Sequence, residues 1–400
     1  MSDKVLLVGE PMGLFIADNP GPLDSVGSYT FAVAGAEFNV AVGLTRLGHE
    51  AAFLTKLGPD PFGARIVKSM DEIGIDTKMV IKTDERNTGF MLKSQVTEGD
   101  PEIYSFRAGS AASTLSPEDL AGIDLSECAM VHLTGILPAL SDLCRAATLD
   151  LMGKARDAGV TVSFDCNLRP QLWPDTRTMV ETTNTLAALS DIFLPGINEC
   201  EVLLGTRDER EAAARYLEAG SKLVVVKLGA DGAYYACEDG REGYVPGFQV
   251  DEIVDTVGAG DGFAAGVISA LLEGQDVEQA VTRGCAIGAI QLTSRGDNEG
   301  LPTREQLDAF MADPAHTPVK EQACTRTTPQ SPPCSTGSSR SASSPSSPST
   351  TRSSPCPWAA PSWPADCPRP RSRSARPAPP SASAAWQRRC PTCSWAPAPS

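Results

Sequence analysis

The run Asp255-Thr-Val-Gly-Ala-Gly-Asp261, continued directly by Gly262-Phe-Ala-Ala-Gly-Val-Ile-Ser-Ala-Leu-Leu272, carries the sharpest signal in the chain. Gly258 and Gly260 leave the backbone bare and bendable, so successive N–H groups can point into one concavity. The apolar stretch behind them reads as a helix, and a helix N-terminus favours anions through its unpaired N–H groups and its dipole. Gly258, Ala259 and Gly260 are therefore expected to form an anion hole for a phosphoryl group. It is not a Walker A loop, since no Gly-Lys-Ser or Gly-Lys-Thr follows. Asp261 has two readings at this place. Aspartate is a preferred helix N-cap, and it can also act as a general base for a hydroxyl attacking phosphorus.

Outward from this stretch, short β-branched runs alternate with helical patterns. Residues 5–8, 130–133, 160–164, 192–194 and 223–226 read as buried strands. Residues 38–47, 62–73, 141–158, 199–204, 208–219 and 262–273 read as helices. The alternation predicts an α/β fold: a mostly parallel central sheet with helices on both faces and ligands outside the carboxyl ends of the strands. Residues 11–35 and 86–108 lack helical periodicity and read as extended pieces, the second with a turn at Thr97-Glu-Gly-Asp100. Together they predict a small β lid that would exclude water from the phosphate site.

Composition splits the 400 residues in two. Residues 321–400 contain no Ile, Leu, Val, Met, Phe, Tyr or Lys, yet hold 17 of the 32 prolines and nine arginines against Glu321 and Asp366. Setting that +7 apart from the formal −16 leaves −23 on residues 1–320. So acidic a body argues against nucleic acid or an anionic membrane as partner. The opening apolar run is too short for a secretory signal, and no stretch approaches the roughly 18 apolar residues of a membrane span. Cys128, Cys144, Cys166, Cys200, Cys237 and Cys285 are scattered without a Cys-x-x-Cys pair, which suits a reducing, cytoplasmic setting. Residues 1–314 are read as one domain and 315–400 as a low-complexity tail. The tail is either disordered by composition or a product of a shifted reading frame. Read in another frame, Arg388–Ser400 permits a segment resembling 2-keto-3-deoxy-6-phosphogluconate aldolase.

The seven-residue string resembles the C-terminal signature of the PfkB, or ribokinase-like, carbohydrate kinases, and the resemblance extends over about residues 4–312. Ala34-Gly-Ala-Glu-Phe-Asn39, running on to Leu47-Gly48, looks like that family's N-terminal segment, with Ala34 in place of the usual first glycine. Asn198-Glu-Cys-Glu201 and Lys227-Leu-Gly-Ala-Asp-Gly232 match two further elements. The resemblance implies a ribokinase-like fold, with Asp261 as catalytic base and Gly35 and Asn39 on the sugar. It implies Asn167, Lys227, Gly229 and Gly232 on the nucleotide, and Asn198 and Glu201 on Mg²⁺ through water. ATP and Mg²⁺ are the implied cofactors, and a monovalent-cation requirement and a homo-oligomer stay open.

Within the family, Gly9-Glu-Pro-Met12, Thr88-Gly-Phe-Met-Leu92, Ile103-Tyr-Ser-Phe-Arg107, Asp165-Cys-Asn-Leu-Arg169 and Gly296-Asp297 look like 2-keto-3-deoxygluconate kinases. By that likeness Tyr104 and Arg107 reach the substrate from the lid, Arg169 serves substrate or phosphate, and Asp297 binds the sugar. A carboxylate-bearing sugar needs such cations. The expected reaction is ATP-dependent phosphorylation of the 6-hydroxyl. A fructokinase or other hexose kinase is the nearest alternative, and a non-catalytic sugar sensor a more distant one that has no need of a base at Asp261.

Overall fold

The computed structural model describes residues 3–96 and 101–316. These belong to the first of the two units, Met1–Arg326 and Thr327–Ser400, into which the chain divides. The expected turn at 97–100 and the expected tail beyond residue 316 lie outside the described residues.

Thirteen strands occur among the described residues: β1 (Lys4–Val8), β2 (Met12–Pro20), β3 (Tyr29–Ala34), β4 (Ala51–Leu57), β5 (Val80–Lys82), β6 (Phe90–Gln95), β7 (Ile103–Phe106), β8 (Cys128–Thr134), β9 (Thr161–Asp165), β10 (Ile192–Phe193), β11 (Leu223–Lys227), β12 (Ala233–Cys237) and β13 (Glu242–Val245). Nine form the central sheet in the order β13-β12-β11-β10-β9-β8-β1-β4-β5. From β11 to β5 every neighbouring pair is parallel. Strands β12 and β13 continue the other edge as an antiparallel meander.

The parallel sheet follows from strands that are apolar on both faces. In β1, Val5 and Leu7 enter one core layer while Leu6 and Val8 enter the other, and none is exposed. Helices Ala36–Arg46, Ala259–Leu272 and Val277–Leu292 supply apolar residues to the first layer. Helices Asp142–Asp157, Thr176–Leu189, Ile197–Leu204 and Glu209–Ala219 cover the second. Strands β4, β5, β12 and β13 and helices Leu137–Leu140, Thr176–Leu189, Val277–Leu292 and Arg304–Ala312 carry no counterpart in the sequence reading, while every strand and helix expected there has one.

The two extended segments form a separate sheet in the order β3-β2-β6-β7. Its faces differ because strand neighbours alternate. Pairing sets Phe15 opposite Phe31, Phe90 opposite Phe106 and Leu92 opposite Tyr104, giving one aromatic face. Met12, Leu14, Ala34 and Met91 form a small apolar cluster on the other. Asp60 joins this sheet to the main body. It caps helix Pro61–Ile73 by accepting from the N–H groups of Phe62 and Gly63 at 3.0 Å, and it accepts from the Thr88 N–H at 2.7 Å, just before β6.

Since β1 is buried on both sides, Leu6→Ala and Leu7→Ala are each expected to lower the unfolding free energy by about 2–5 kcal/mol. Urea denaturation checks this, and a negligible loss at either position would contradict two equivalent core layers.

Candidate active site

The carboxyl ends of β1, β9 and β11 open toward the N-terminus of helix Ala259–Leu272. Gly258, its N-cap, has φ of 82°, a left-handed backbone that favours glycine. A β-carbon there would stand 2.1 Å from the Asp297 carbonyl oxygen. The N–H groups of Ala259 and Gly260 occupy the first turn, where a helix has no carbonyl to offer them. They face the cleft as a ready anion site.

Asp261 sits on that same turn. Asn39 Nδ2 donates to its Oδ2 at 2.7 Å, and Asn167 Nδ2 approaches Oδ1 at 3.4 Å. Asn298 Nδ2 donates to Asn39 Oδ1 at 2.9 Å, so both ends of the Asn39 amide are committed. Asn39 thus holds the carboxylate here. Asn167 has φ of 33°, alone among the described non-glycine residues in lying left of the usual regions. Loss of water around Asp261 pushes its pKa up to about 7, with the negative charge of Asp165 adding and the Asn39 hydrogen bond and Arg169 opposing.

Two cavities meet at Gly260, Thr256 and Lys227. A groove of about 1840 Å³ is lined by Lys227, Gly229, Gly232, Phe248 and Ala289 among others. A smaller cavity of about 500 Å³ contains Gly35, Asn39, Arg107, Asn167, Arg169 and Asp261. Asn167, expected on the nucleotide, lies on the smaller cavity with Asp261. Gly35 has φ of 141°, and a β-carbon there would meet the Glu10 carbonyl oxygen at 2.7 Å.

The charged groups differ in how far they are already paired. Arg107 is buried, with Nε and Nη2 on Glu10 Oε2 at 2.7 and 2.6 Å. Ser110 donates to the other Glu10 oxygen. Lid arginine and carboxylate thus neutralise each other, which leaves less charge for a substrate than the sequence alone suggests. Arg169 is different: its only hydrogen-bond partners among the described residues are the carbonyls of Leu168 at 2.9 Å and Asn167 at 3.5 Å, and Asp261 and Asp297 act on it only from a distance. Asp297 is also engaged, since Lys93 Nζ donates to its Oδ1 at 2.8 Å.

Three expectations change in the structure. Tyr104 is 57% exposed and stacks toward Phe106, with ring centroids 5.0 Å apart on the aromatic face. Alternation along β7 turns Ile103 and Ser105, not Tyr104, to the cavity. Asn198 and Glu201 are exposed on helix Ile197–Leu204, and Glu201 pairs with Arg207 at 2.7 Å. The carboxylate that faces inward is Glu199. It accepts from the Gly196 and Leu168 N–H groups at 2.7 and 2.8 Å and from Cys166 Sγ at 2.9 Å. Burial alone would raise the Glu199 pKa, but Lys227 and these donors outweigh it and hold the carboxyl below its ordinary value.

Asp165, Cys166 and Glu199 bring their side-chain donor atoms within 4.8 Å of one another. Lys227 Nζ lies 2.5 Å from Asp165 Oδ2, and burial, which would depress the ammonium, is outweighed by Asp165 and Glu199, leaving its pKa raised. Because these oxygens already serve Lys227 and N–H donors, the group fits a divalent ion held through water, not one bound directly. Glu10, Asp165 and Glu199 lie inside motifs quoted above but were given no role there, while Lys93 and Asn298 directly follow such motifs.

The pfkB family carbohydrate kinase model matches residues 2–304. A 2-dehydro-3-deoxygluconokinase of Bacillus subtilis (strain 168) is 47% identical over 306 residues, covering 76% of this chain and 94% of its own. A PfkB protein from Polaromonas sp. JS666 superposes with a TM-score of 0.70 at 43% identity, over 77% of this chain and all of that one. A double-mutant fructokinase from Vibrio cholerae O395, solved in a form with fructose, ADP and potassium ion bound, gives a TM-score of 0.69 at 26% identity, over 77% and 98%. With the glycine cradle and Asp261 arranged as described, the chain belongs to the pfkB family of carbohydrate kinases.

Proposed function

We propose that the chain transfers the γ-phosphoryl group of ATP to the 6-hydroxyl of 2-keto-3-deoxygluconate, giving 2-keto-3-deoxy-6-phosphogluconate. The observation that carries this reading is the presence, in one small cavity, of Asp261 and of Arg169, a guanidinium with no carboxylate within ion-pair distance among the described residues. The named activity of the Bacillus subtilis relative supports it.

ATP lies in the larger groove in this reading, with its terminal phosphate at the N–H groups of Ala259 and Gly260. The sugar fills the smaller cavity, its 6-hydroxyl at Asp261 and its carboxylate at Arg169. Asp261 takes the hydroxyl proton as oxygen attacks phosphorus. Asn39 and Asn167 keep the accepting oxygens aimed, and the amide cradle stabilises charge that develops on the transferring group. Mg²⁺ supplies neutralisation of the phosphates when bound, and Asp165 and Glu199 would hold it through water. Lys227, already paired with Asp165, adds a fixed positive charge where the two cavities meet.

The first test is ATP-dependent phosphorylation of 2-keto-3-deoxygluconate, fructose, ribose and gluconate. Preference for the keto-deoxy acid is expected, and preference for fructose would overturn the substrate. Asp261→Asn should lower kcat by about 10²–10⁴-fold with the sugar KM nearly unchanged. Retention of near wild-type kcat removes Asp261 from the role of base.

Asp261 must be ionised to accept the proton, and its pKa is raised to about 7. On the acid side kcat/KM should therefore fall roughly tenfold per pH unit below about 7 and level off above it. A flat profile between pH 5 and 8, roughly one charge state at the base throughout, would contradict this.

Arg169→Met should reduce kcat/KM for the keto-deoxy acid by about 10- to 100-fold while sparing any fructose turnover. Equal losses on both sugars would move Arg169 from the carboxylate to the phosphate.

A further inference from the structure

Lys93 lies on β6, on the face of the lid sheet turned away from the aromatic side, and is only 2% exposed. Its ammonium stands 2.6 Å from Asp255 Oδ2 and 2.8 Å from Asp297 Oδ1. Both carboxylates are buried too. Burial works against the ammonium, but the two carboxylates outweigh it and raise its pKa, so the residue stays charged.

The two carboxylates are tied to the two walls of the anion cradle. Asp255 Oδ1 accepts from the Val257 N–H at 3.1 Å, one residue before Gly258, and Oδ2 accepts from the Gly296 N–H at 3.3 Å. The carbonyl of Asp297 packs against Gly258 so closely that no β-carbon fits there. Gln291 Nε2 donates to the Gly296 carbonyl at 2.9 Å and approaches that of Val257 at 3.5 Å, crossing between the same walls. Without a cation between them, Asp255 and Asp297 would be two buried like charges pushing these walls apart.

From this geometry we infer that Lys93 is a positioning residue whose ammonium serves as a built-in monovalent cation, holding the phosphate-binding turn in shape from the lid. The inference rests on the kinase reading. Two carboxylates around an ammonium-sized space make a site for potassium or ammonium once the side chain is cut back. Wild-type turnover therefore needs no added monovalent cation, whereas Lys93→Ala acquires that need. Because the charge is carried by β6, the lid sheet and the phosphate turn are set by one ion pair rather than independently.

The test uses the full chain with the sugar that it phosphorylates best, comparing potassium, ammonium and tetramethylammonium chlorides at about 0.1 M, an equal ionic strength for all three. Wild-type kcat should agree across the three salts. Lys93→Ala should lose roughly tenfold or more in kcat in tetramethylammonium and regain a large part of it in potassium or ammonium. Lys93→Met, which refills the space without charge, should lose activity and not be rescued. A wild type that requires potassium overturns the inference, as does a Lys93→Ala variant that keeps its kcat or responds alike to all three salts. If Lys93→Ala is too unstable to assay, its melting temperature decides: a rise in potassium over tetramethylammonium supports the site, and equal values reject it. A wild type that phosphorylates no sugar defeats the kinase reading instead, which separates the two failures.

Discussion

Burying a parallel sheet on both faces leaves little room for charge inside it, and this constraint organises the molecule. Strands such as β1 and β11 are spent on apolar packing along their length, so ionisable groups collect where the strands stop. Asp165 ends β9 and Lys227 ends β11, while Glu10 follows β1 by two residues. Charges drawn to one rim must pair or orient one another, and they do so as Lys227 with Asp165 and Arg107 with Glu10. The rim also faces the start of helix Ala259–Leu272, whose bare amides supply the positive end that an acidic body otherwise lacks.

Against that background the unpaired groups stand out. Asp261 has amide donors but no cation in direct contact, which is why burial prevails and its affinity for a proton is high. Arg169 has carbonyl contacts and no carboxylate. Asp261 and the Arg169 guanidinium share one cavity, each left with capacity beyond the contacts it already makes. Arg107, of the same residue type, has already used its capacity on Glu10. Residue type alone does not separate the two arginines; their neighbours do.

The central sheet, the smaller second sheet and the glycine turn at the helix start were legible in the sequence for physical reasons. Short β-branched runs bounded by turn residues suit doubly buried strands, and glycines spaced as at 258 and 260 suit a bare turn at a helix N-terminus. What escaped was decided by direction rather than identity. Tyr104 and Arg107 lie three positions apart, an odd offset, and strand alternation sends them to opposite faces. Glu199 and Glu201 are two apart on one helix, about 200° around it, so only one can look inward. Lys93 had no motif, because an ammonium between two distant aspartates is a fact of packing. Strands β4 and β12 were missed because β4 has a single β-branched residue, Thr55, and β12 has none.

If Asp261 is the base of the proposed phosphoryl transfer, its near-neutral proton affinity has a consequence for the end of that cycle. In that reaction phosphorylation turns a singly charged acid into a far more anionic molecule, inside walls that already hold Asp165, Glu199 and Asp297. While Asp261 retains the captured proton, the cleft is one charge less hostile to what it has just made. When that proton escapes to water, as a group with a pKa of about 7 allows at neutral pH, the restored carboxylate repels the new phosphate at close range. In that reading the residue that starts the reaction also helps to evict its outcome, and each ejection leaves it recharged for the next sugar.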